Sequence, residues 1–427
     1  MVLRIILACF SSRTNRSIDK ANRICDACDS DIGVDKPSNV CDHINDLPSD
    51  IINEILHRLP TQDAIKTSAL SRQWRYTWVS VRRLEFKKVF FQKCKHLGFG
   101  DSEISSIISR ILMQHDGPIY DFTLVIPRGY SFESKCFNNW ISFLSRSGLQ
   151  HFILDSSSSG RERYYFTPDS RRNRSRGVAK PCQMPSHFFS CKALITCELH
   201  NFELVSHPPT FKGFKNLLKV KLCEVKLESG TLMALISGSP VLALLHIYSC
   251  YGLKCIDVSS TSLEDLRIID CEDVKSISLK SKNLKSLIVA LLEPALENLD
   301  KNSMPHFMEC LPNIEKLFLG NGYTKSHVER REPDPEHLKE LDCKSYCYSQ
   351  FKTVKIEVTS AFKHALDLMR FILANSSSLE ILTFKIIGLD LNRSDTPLVI
   401  SALQVLLQME RASPKAQVKF IYDDRDE

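Results

Sequence analysis

The pattern L-x-x-L-x-L, with other apolar residues free to substitute, recurs along most of this 427-residue chain and limits what it can fold into. It begins at Ile119 (IYDFTL), Leu149 (LQHFIL), Leu194 (LITCEL), Leu217 (LLKVKL), Leu242 (LALLHI), Leu263 (LEDLRI), Leu284 (LKSLIV), Ile314 (IEKLFL), Leu338 (LKELDC), Phe351 (FKTVKI) and Leu379 (LEILTF). From Leu194 to Leu284 the steps are 23, 25, 21 and 21 residues, inside the roughly 20 to 29 expected of leucine-rich units. Each unit has an apolar edge that it cannot bury alone, and stacked neighbours share one core. A weaker copy at Leu253 (LKCIDV) and Val274 (VKSISL) predicts sheet on both faces of a solenoid there, in place of long convex helices. Cys250 and Cys271 stand eight residues after their unit's first Leu, where a small buried thiol fits.

Upstream of the repeats the period is helical. In the stretch 42–86 Pro48 suits a first helical position, with Asp50 in the first turn where the helix dipole favours an acid. Ile51, Ile52, Ile55, Leu56 and Leu59 form an apolar stripe. Pro60 stops that helix and Thr61 can cap the next. Ala64, Ile65 and Ala69 give the second helix a small buried face, and Trp74 and Trp78 share one face of a third. Residues 1–41 lack an apolar period beyond the first ten and read as a disordered leader. The stretch 155–182, rich in Ser, Gly and Arg, reads as a long surface loop inserted between two repeats. Residues 351–422 read as a terminal unit: a strand, an amphipathic helix through Phe362, Leu366, Met369, Phe371 and Leu373, a strand from Leu379 to Ile387, a helix near Leu398 to Met409 and a strand from Val418 to Tyr422.

The formal charge of +6 is not spread evenly: residues 161–180 carry +5 of it. The rest of the chain is too nearly neutral to create the field that nucleic-acid binders use, so no nucleic-acid partner is expected. The basic loop reads as a solvated insertion, with a nuclear address, a phosphate-binding patch or a basophilic kinase site at Ser175 as the sharper alternatives. Sixteen scattered cysteines fall below the density of a disulfide scaffold, which places the chain in a reducing compartment. The start MVLRIILACF is too short an apolar run for a signal peptide, and no run approaches a membrane span. Nucleus or cytoplasm is therefore the expected location, with no membrane partner.

Chemistry is hard to find. GFGDSE at residues 98–103 is the nearest string to a nucleotide fingerprint, but it ends in Glu and follows no strand. No G-x-S-x-G elbow or H-E-x-x-H helix occurs. Cys25, Cys28, Cys41 and His43 make C-x2-C-x12-C-x-H, whose last spacing does not suit zinc, so neither a metal nor a cofactor is expected.

The string INDLPSDIINEILHRLPTQDAIKTSALSRQWRYTW at residues 44–78 resembles the plant-type F-box. Its LP opening, apolar first helix, LPT-x-DA link and LS-x-x-W-x-x-x-W close are all present. Residues 190–300 resemble the irregular leucine-rich repeats of plant F-box proteins. FKTVKIEV, MRFILANSSSLEILTF and MERASPKAQVKF resemble the FBD domain, with Arg411, Ala412, Ser413 and Pro414 as its signature. The resemblance implies an α+β protein: a small three-helix F-box at 42–86, a leucine-rich-repeat solenoid at 87–350 and an FBD α/β unit at 351–427. It also implies a non-catalytic substrate receptor of a Skp-cullin-F-box ubiquitin ligase, bound through a Skp-type adaptor to a cullin scaffold and holding an unknown target protein. Adaptor contacts, mixed with the domain's own core, fall on Leu47, Pro48, Ile51, Ile55, Leu59, Pro60, Leu70, Ser71, Trp74 and Trp78. A non-ligase scaffold and a small-molecule co-receptor with a pocket in the repeats are the alternatives.

For the target, the fifth position of each repeat points away from its two flanking leucines, since side chains alternate along a strand. Those residues are Glu198, Lys221, His246, Arg267, Ile288 and Phe318. In-register stacking makes Lys221, His246 and Arg267 a short basic row suited to an acidic or phosphorylated segment.

Overall fold

The computed structural model describes residues 47–59, 61–70, 74, 76–156, 181–204, 206–271, 273–291, 313–321, 351–358, 362–387 and 396–423. The leader, the Cys25–His43 cluster, the basic stretch 161–180 and the Leu338 unit lie outside these residues. Helices and strands are mixed as in an α+β protein, and the chain divides into two compact units, 1–163 with 176–198 and 164–175 with 199–427.

The first unit opens with helix α1 (Ser49–Arg58). Pro48 is its N-cap and not its first helical residue, because its ψ of 146° is extended. The helix ends where Leu59 turns extended at ψ 145°, the conformation a residue before proline is pushed into. Helix α2 (Thr61–Lys66) follows, then a 3-10 turn over Thr67–Ala69. Of the third expected helix the described residues show a 3-10 turn, Thr77–Ser80, and both Trp74 and Trp78 are buried. Thr61 does not cap α2. Its hydroxyl donates to the Arg83 carbonyl at 3.4 Å and accepts the Glu85 N–H at 2.6 Å, tying α2 to strand β1 (Arg83–Phe86).

β1 lies parallel to β2 (Asp121–Val125), which pairs in parallel with β3 (His151–Asp155). After β4 (Cys182–Met184) comes β5 (Thr196–His200), next to β3 in the sheet and the strand on which the division falls. β1 is a repeat strand as well, preceding the eleven units read from the sequence, and VRRLEF at Val81 has their pattern. Helices α3 (Lys88–His96), α4 (Asp101–Gln114) and α5 (Ser134–Leu144) occupy the crossovers, as parallel strands require. GFGDSE is the start of α4: Gly100 N–H donates to the Glu103 carboxylate at 2.7 Å, a local cap. The core is a run of rings, with Phe86 and Phe122 6.0 Å apart and Phe122 and Phe152 6.1 Å apart.

The second unit contains β6 (Phe202–Leu204) and β7 (Lys219–Cys223), then helix α6 (Ser229–Ser237) and β8 (Leu244–Tyr248). Next come β9 (Cys255–Ser259), β10 (Asp265–Ile269), β11 (Ser276–Lys280), β12 (Ser286–Leu291) and β13 (Lys316–Asn321). It closes with β14 (Thr353–Val358), α7 (Phe362–Asn375), β15 (Ile381–Ile387), α8 (Thr396–Gln408) and β16 (Gln417–Asp423). β7, β8, β10, β12, β13, β14, β15 and β16 pair in that order, all parallel. Val220, Leu245, Leu266, Leu287, Leu317, Val354 and Leu382 make one buried row in register. Leu222, Ile247, Ile268, Val289, Leu319, Ile356 and Phe384 make the next.

The weaker repeat copies form a second parallel pair, β9 with β11. This is the second sheet expected at those copies; ahead of it the helix α6 lies between β7 and β8, and Lys226 makes parallel bridges to Glu203 and Tyr251. Each of β5, β7, β8 and β10 is followed directly by a residue with positive φ: Asn201, Glu224, Ser249 and Asp270 at 58°, 54°, 50° and 57°. This turn feeds the chain into the buried position that Cys250 and Cys271 occupy. Between repeats, Asn283 donates to the Thr261 carbonyl at 2.6 Å and Asn313 to the Lys282 carbonyl at 2.7 Å.

The C-terminal signature is structural. Buried Ser413 donates to the Leu379 carbonyl at 2.7 Å, Arg411 to the Ala416 carbonyl at 3.1 Å, and the Ala412 N–H to the Leu373 carbonyl at 2.9 Å. These bonds join the end of α7 and the entry to β15 to the turn before β16.

Candidate partner-binding surfaces

Helix α1 carries two apolar ridges. Ile52 and Leu56, four residues apart, are fully buried, whereas Ile51 and Ile55 are 48% and 37% exposed. An amphipathic helix is expected to bury its apolar stripe, so the second ridge is apolar surface that the described residues leave exposed. Leu70, 55% exposed, Tyr76 and Pro48 add to the exposed set, while Leu47 and Leu59 are half-buried. Trp74 and Trp78 belong to the core with Ala64 and Ile65. The structure thereby separates the ten sequence candidates: Ile51, Ile55, Leu70 and Pro48 face outward, Trp74 and Trp78 do not, and Pro60 and Ser71 lie outside the described residues. Tyr76 was not among the candidates; its place beside Trp74 and Trp78 in sequence is the signal that could have found it.

These residues are held firmly. Besides the Thr61 bonds to β1, the Asp116 N–H donates to the Val79 carbonyl at 2.8 Å and His115 Nε2–H to the Val81 carbonyl at 2.8 Å. Burial pushes the His115 pKa down, so the ring stays neutral.

The outward face of the second unit's sheet is the other candidate. Lys221, His246, Arg267, Ile288 and Phe318 stand side by side in one register row, as the alternation requires, and the row continues through Lys355, Thr383 and Lys419. It is not, however, a row of three open cations at its first strands. His246 is buried, with Nε2 3.1 Å from Asp265 Oδ2 and Nδ1 3.3 Å from the Tyr248 hydroxyl. Arg267 donates to the same carboxylate at 3.2 Å. Burial alone would raise the Asp265 pKa, but the bonds from His246 and Arg267 outweigh it and hold the carboxyl below its ordinary value. Asp265, one step back along its strand, was invisible to a rule that inspected only fifth positions.

Several of the described thiols are unsuited to nucleophilic attack. Burial pushes the Cys191 thiol up to about 12 and Cys182 up to about 11, and raises Cys197 and Cys250 as well, the opposite of what a nucleophilic thiolate needs. No group of three or more metal-ligating side chains comes together among the described residues. No helix among them is long and apolar enough to cross a membrane.

Known proteins with similar sequences carry the same parts. Residues 44–86 match the family model of the F-box domain, and residues 137–298 match the model described as FBD-associated F-box protein At5g56370, LRR repeats. The Arabidopsis thaliana F-box/FBD/LRR-repeat protein At1g13570 is 26% identical over 446 aligned positions, covering 90% of this chain and 99% of that protein. Two further Arabidopsis thaliana proteins align over less of their own length. Putative FBD-associated F-box protein At5g56440 is 24% identical over 65% of this chain and 62% of its own. F-box/LRR-repeat protein 13 is 28% identical over 70% of this chain and 61% of its own.

Proposed function

Because this chain belongs to the plant F-box/FBD/LRR-repeat family, we propose that it is the substrate-recognition subunit of a Skp-cullin-F-box ubiquitin ligase. F-box domains in general bind Skp-type adaptors. In this reading a three-helix F-box at 42–86 seats on the adaptor, a repeat solenoid at 87–350 with its FBD unit at 351–427 holds the target, and the complex works in the nucleus or cytoplasm. The protein makes and breaks no bonds. It holds target lysines near a ubiquitin-charged enzyme and so raises their effective concentration.

The observation that carries the reading is the exposed Ile51 and Ile55 ridge on a helix whose other ridge is fully buried. Apolar anchors on a rigid helix are what a lasting protein interface uses. The bonds from Thr61 to β1 give the arrangement a mechanical sense, since they couple the helical stretch that holds the adaptor to the first repeat strand. Co-precipitation of the adaptor by the Ile51→Lys, Ile55→Lys double variant tests this. Capture should be lost while stability changes by no more than about 0.5 kcal/mol per exposed site; undiminished capture would overturn the assignment.

A further inference from the structure

The geometry points to a docking site for an acidic protein segment on the outward face of β13 to β16, a step that rests on the substrate-receptor reading and names the class of target. In the three central register rows these strands present Lys316, Lys355, Lys385 and Lys419. The single acid in those rows is Glu357, which is buried and holds Lys355 at 2.7 Å; Asp423 closes β16 one register step beyond. Adjacent strands in such a sheet lie about 4.8 Å apart, so the four lysines share a compact positive field. Lys316 and Lys419 are the most exposed of them. The sheet face of the first unit has the opposite sign, with Glu85, Asp121, Asp155 and Glu198 against Arg83. A basic face is therefore not a general property of the repeats, although β7 also presents Lys219 and Lys221 outward.

Apolar groups are interleaved with the charges. Phe318 and Ile381 are partly exposed and Ile421 is 41% exposed, which suits a peptide whose acidic residues alternate with apolar ones. A nucleic acid fits less well. Single strands need open aromatic faces for stacking, and the Phe318 ring is covered by Lys355 Nζ at 5.3 Å from its centroid. The arginine on this sheet face, Arg267, is held by Asp265.

Fluorescence anisotropy of the purified full chain tests the site, using as probes a short labelled peptide in which Glu alternates with Leu and a single-stranded oligonucleotide of similar length. The peptide should bind, weaken as salt is raised, and bind the Lys316→Glu, Lys419→Glu variant at least about tenfold less tightly. The neutral Lys316→Gln, Lys419→Gln variant should fall between. Equal peptide binding by wild type and both variants overturns the site, as does an oligonucleotide that binds more tightly than the peptide and loses affinity in the same variants. Adaptor capture is measured on the same preparations. Peptide binding that behaves as expected while wild-type chain fails to capture the adaptor sustains the site and defeats the receptor reading alone.

Discussion

Asp265 orders its neighbourhood by accepting from two cationic or potentially cationic partners at once. With the proton on Nε2, His246 donates to Asp265 and accepts from the Tyr248 hydroxyl, so one tautomer satisfies all three groups. The Asp265 pKa is depressed in the folded protein. Its stabilising contribution is therefore present above the ordinary value of 3.8 and lost as the pH falls below it toward the folded value. Asp265→Asn should lower stability at neutral pH by about 1–3 kcal/mol and remove part of the acid-induced loss, read from thermal denaturation across pH; parallel pH profiles for the two proteins would count against it. Glu224 and Ser249 hold left-handed backbone, which disfavours most side chains but suits asparagine. Glu224→Asn with Ser249→Asn should stabilise by roughly 0.5–1 kcal/mol per site, seen as a raised midpoint in urea. Gly213, with φ at 85°, approaches Gly238 so closely that an added Cβ would sit 2.1 Å from its Cα. Gly213→Ala has no room and should destabilise by about 2 kcal/mol or more, and an unchanged melting temperature would mean that the two backbones can separate.

At the scale of elements, the distinctive feature is that the helical N-terminal stretch and the first repeat strand share hydrogen bonds. Thr61 is near the size of valine, so Thr61→Val removes the acceptor for the Glu85 N–H without opening a cavity. The loss should be about 1–3 kcal/mol, with faster hydrogen exchange at the Glu85 amide; protection equal to wild type would show that the bond is dispensable. Little of this coupling was legible beforehand. Threonine after proline reads as a helix cap from local rules, and the bond it makes instead reaches 24 residues down the chain. Helix α4 was legible but passed over: Ile104, Ile107, Ile108, Ile111 and Leu112 are all buried at helical spacing.

At the scale of the whole molecule, β16 is the last strand of its sheet among the described residues and pairs there with β15 alone. Its removal would leave the β15 edge open and uncover Phe384, whose ring lies 5.8 Å from Phe420. The new edge strand would carry apolar side chains that the full chain buries, and exposed apolar edge strands invite association, so a chain truncated after Met409 should bind hydrophobic dyes and sediment as aggregates. A monodisperse, dye-negative truncation would show that the last strand is not needed as a cap. The sequence by itself determined the repeat: every described strand that follows one of the eleven motifs begins two residues after its first apolar residue, because period-two alternation and the need of each unit for a neighbour leave one way to stack. It determined the register row through Lys221, His246 and Arg267 for the same reason. Tertiary structure alone decided which apolar residues of α1 are core and which are surface, since Ile51 and Ile52 are chemically identical and differ only in what packs against them. It also decided where the positive face lies. Charge on a strand is shared with residues brought alongside from other strands: Asp265 engages His246 and Arg267 in the row's first half, while Lys355 and Lys419 stand in its second half with Lys316 and Lys385 in the rows on either side.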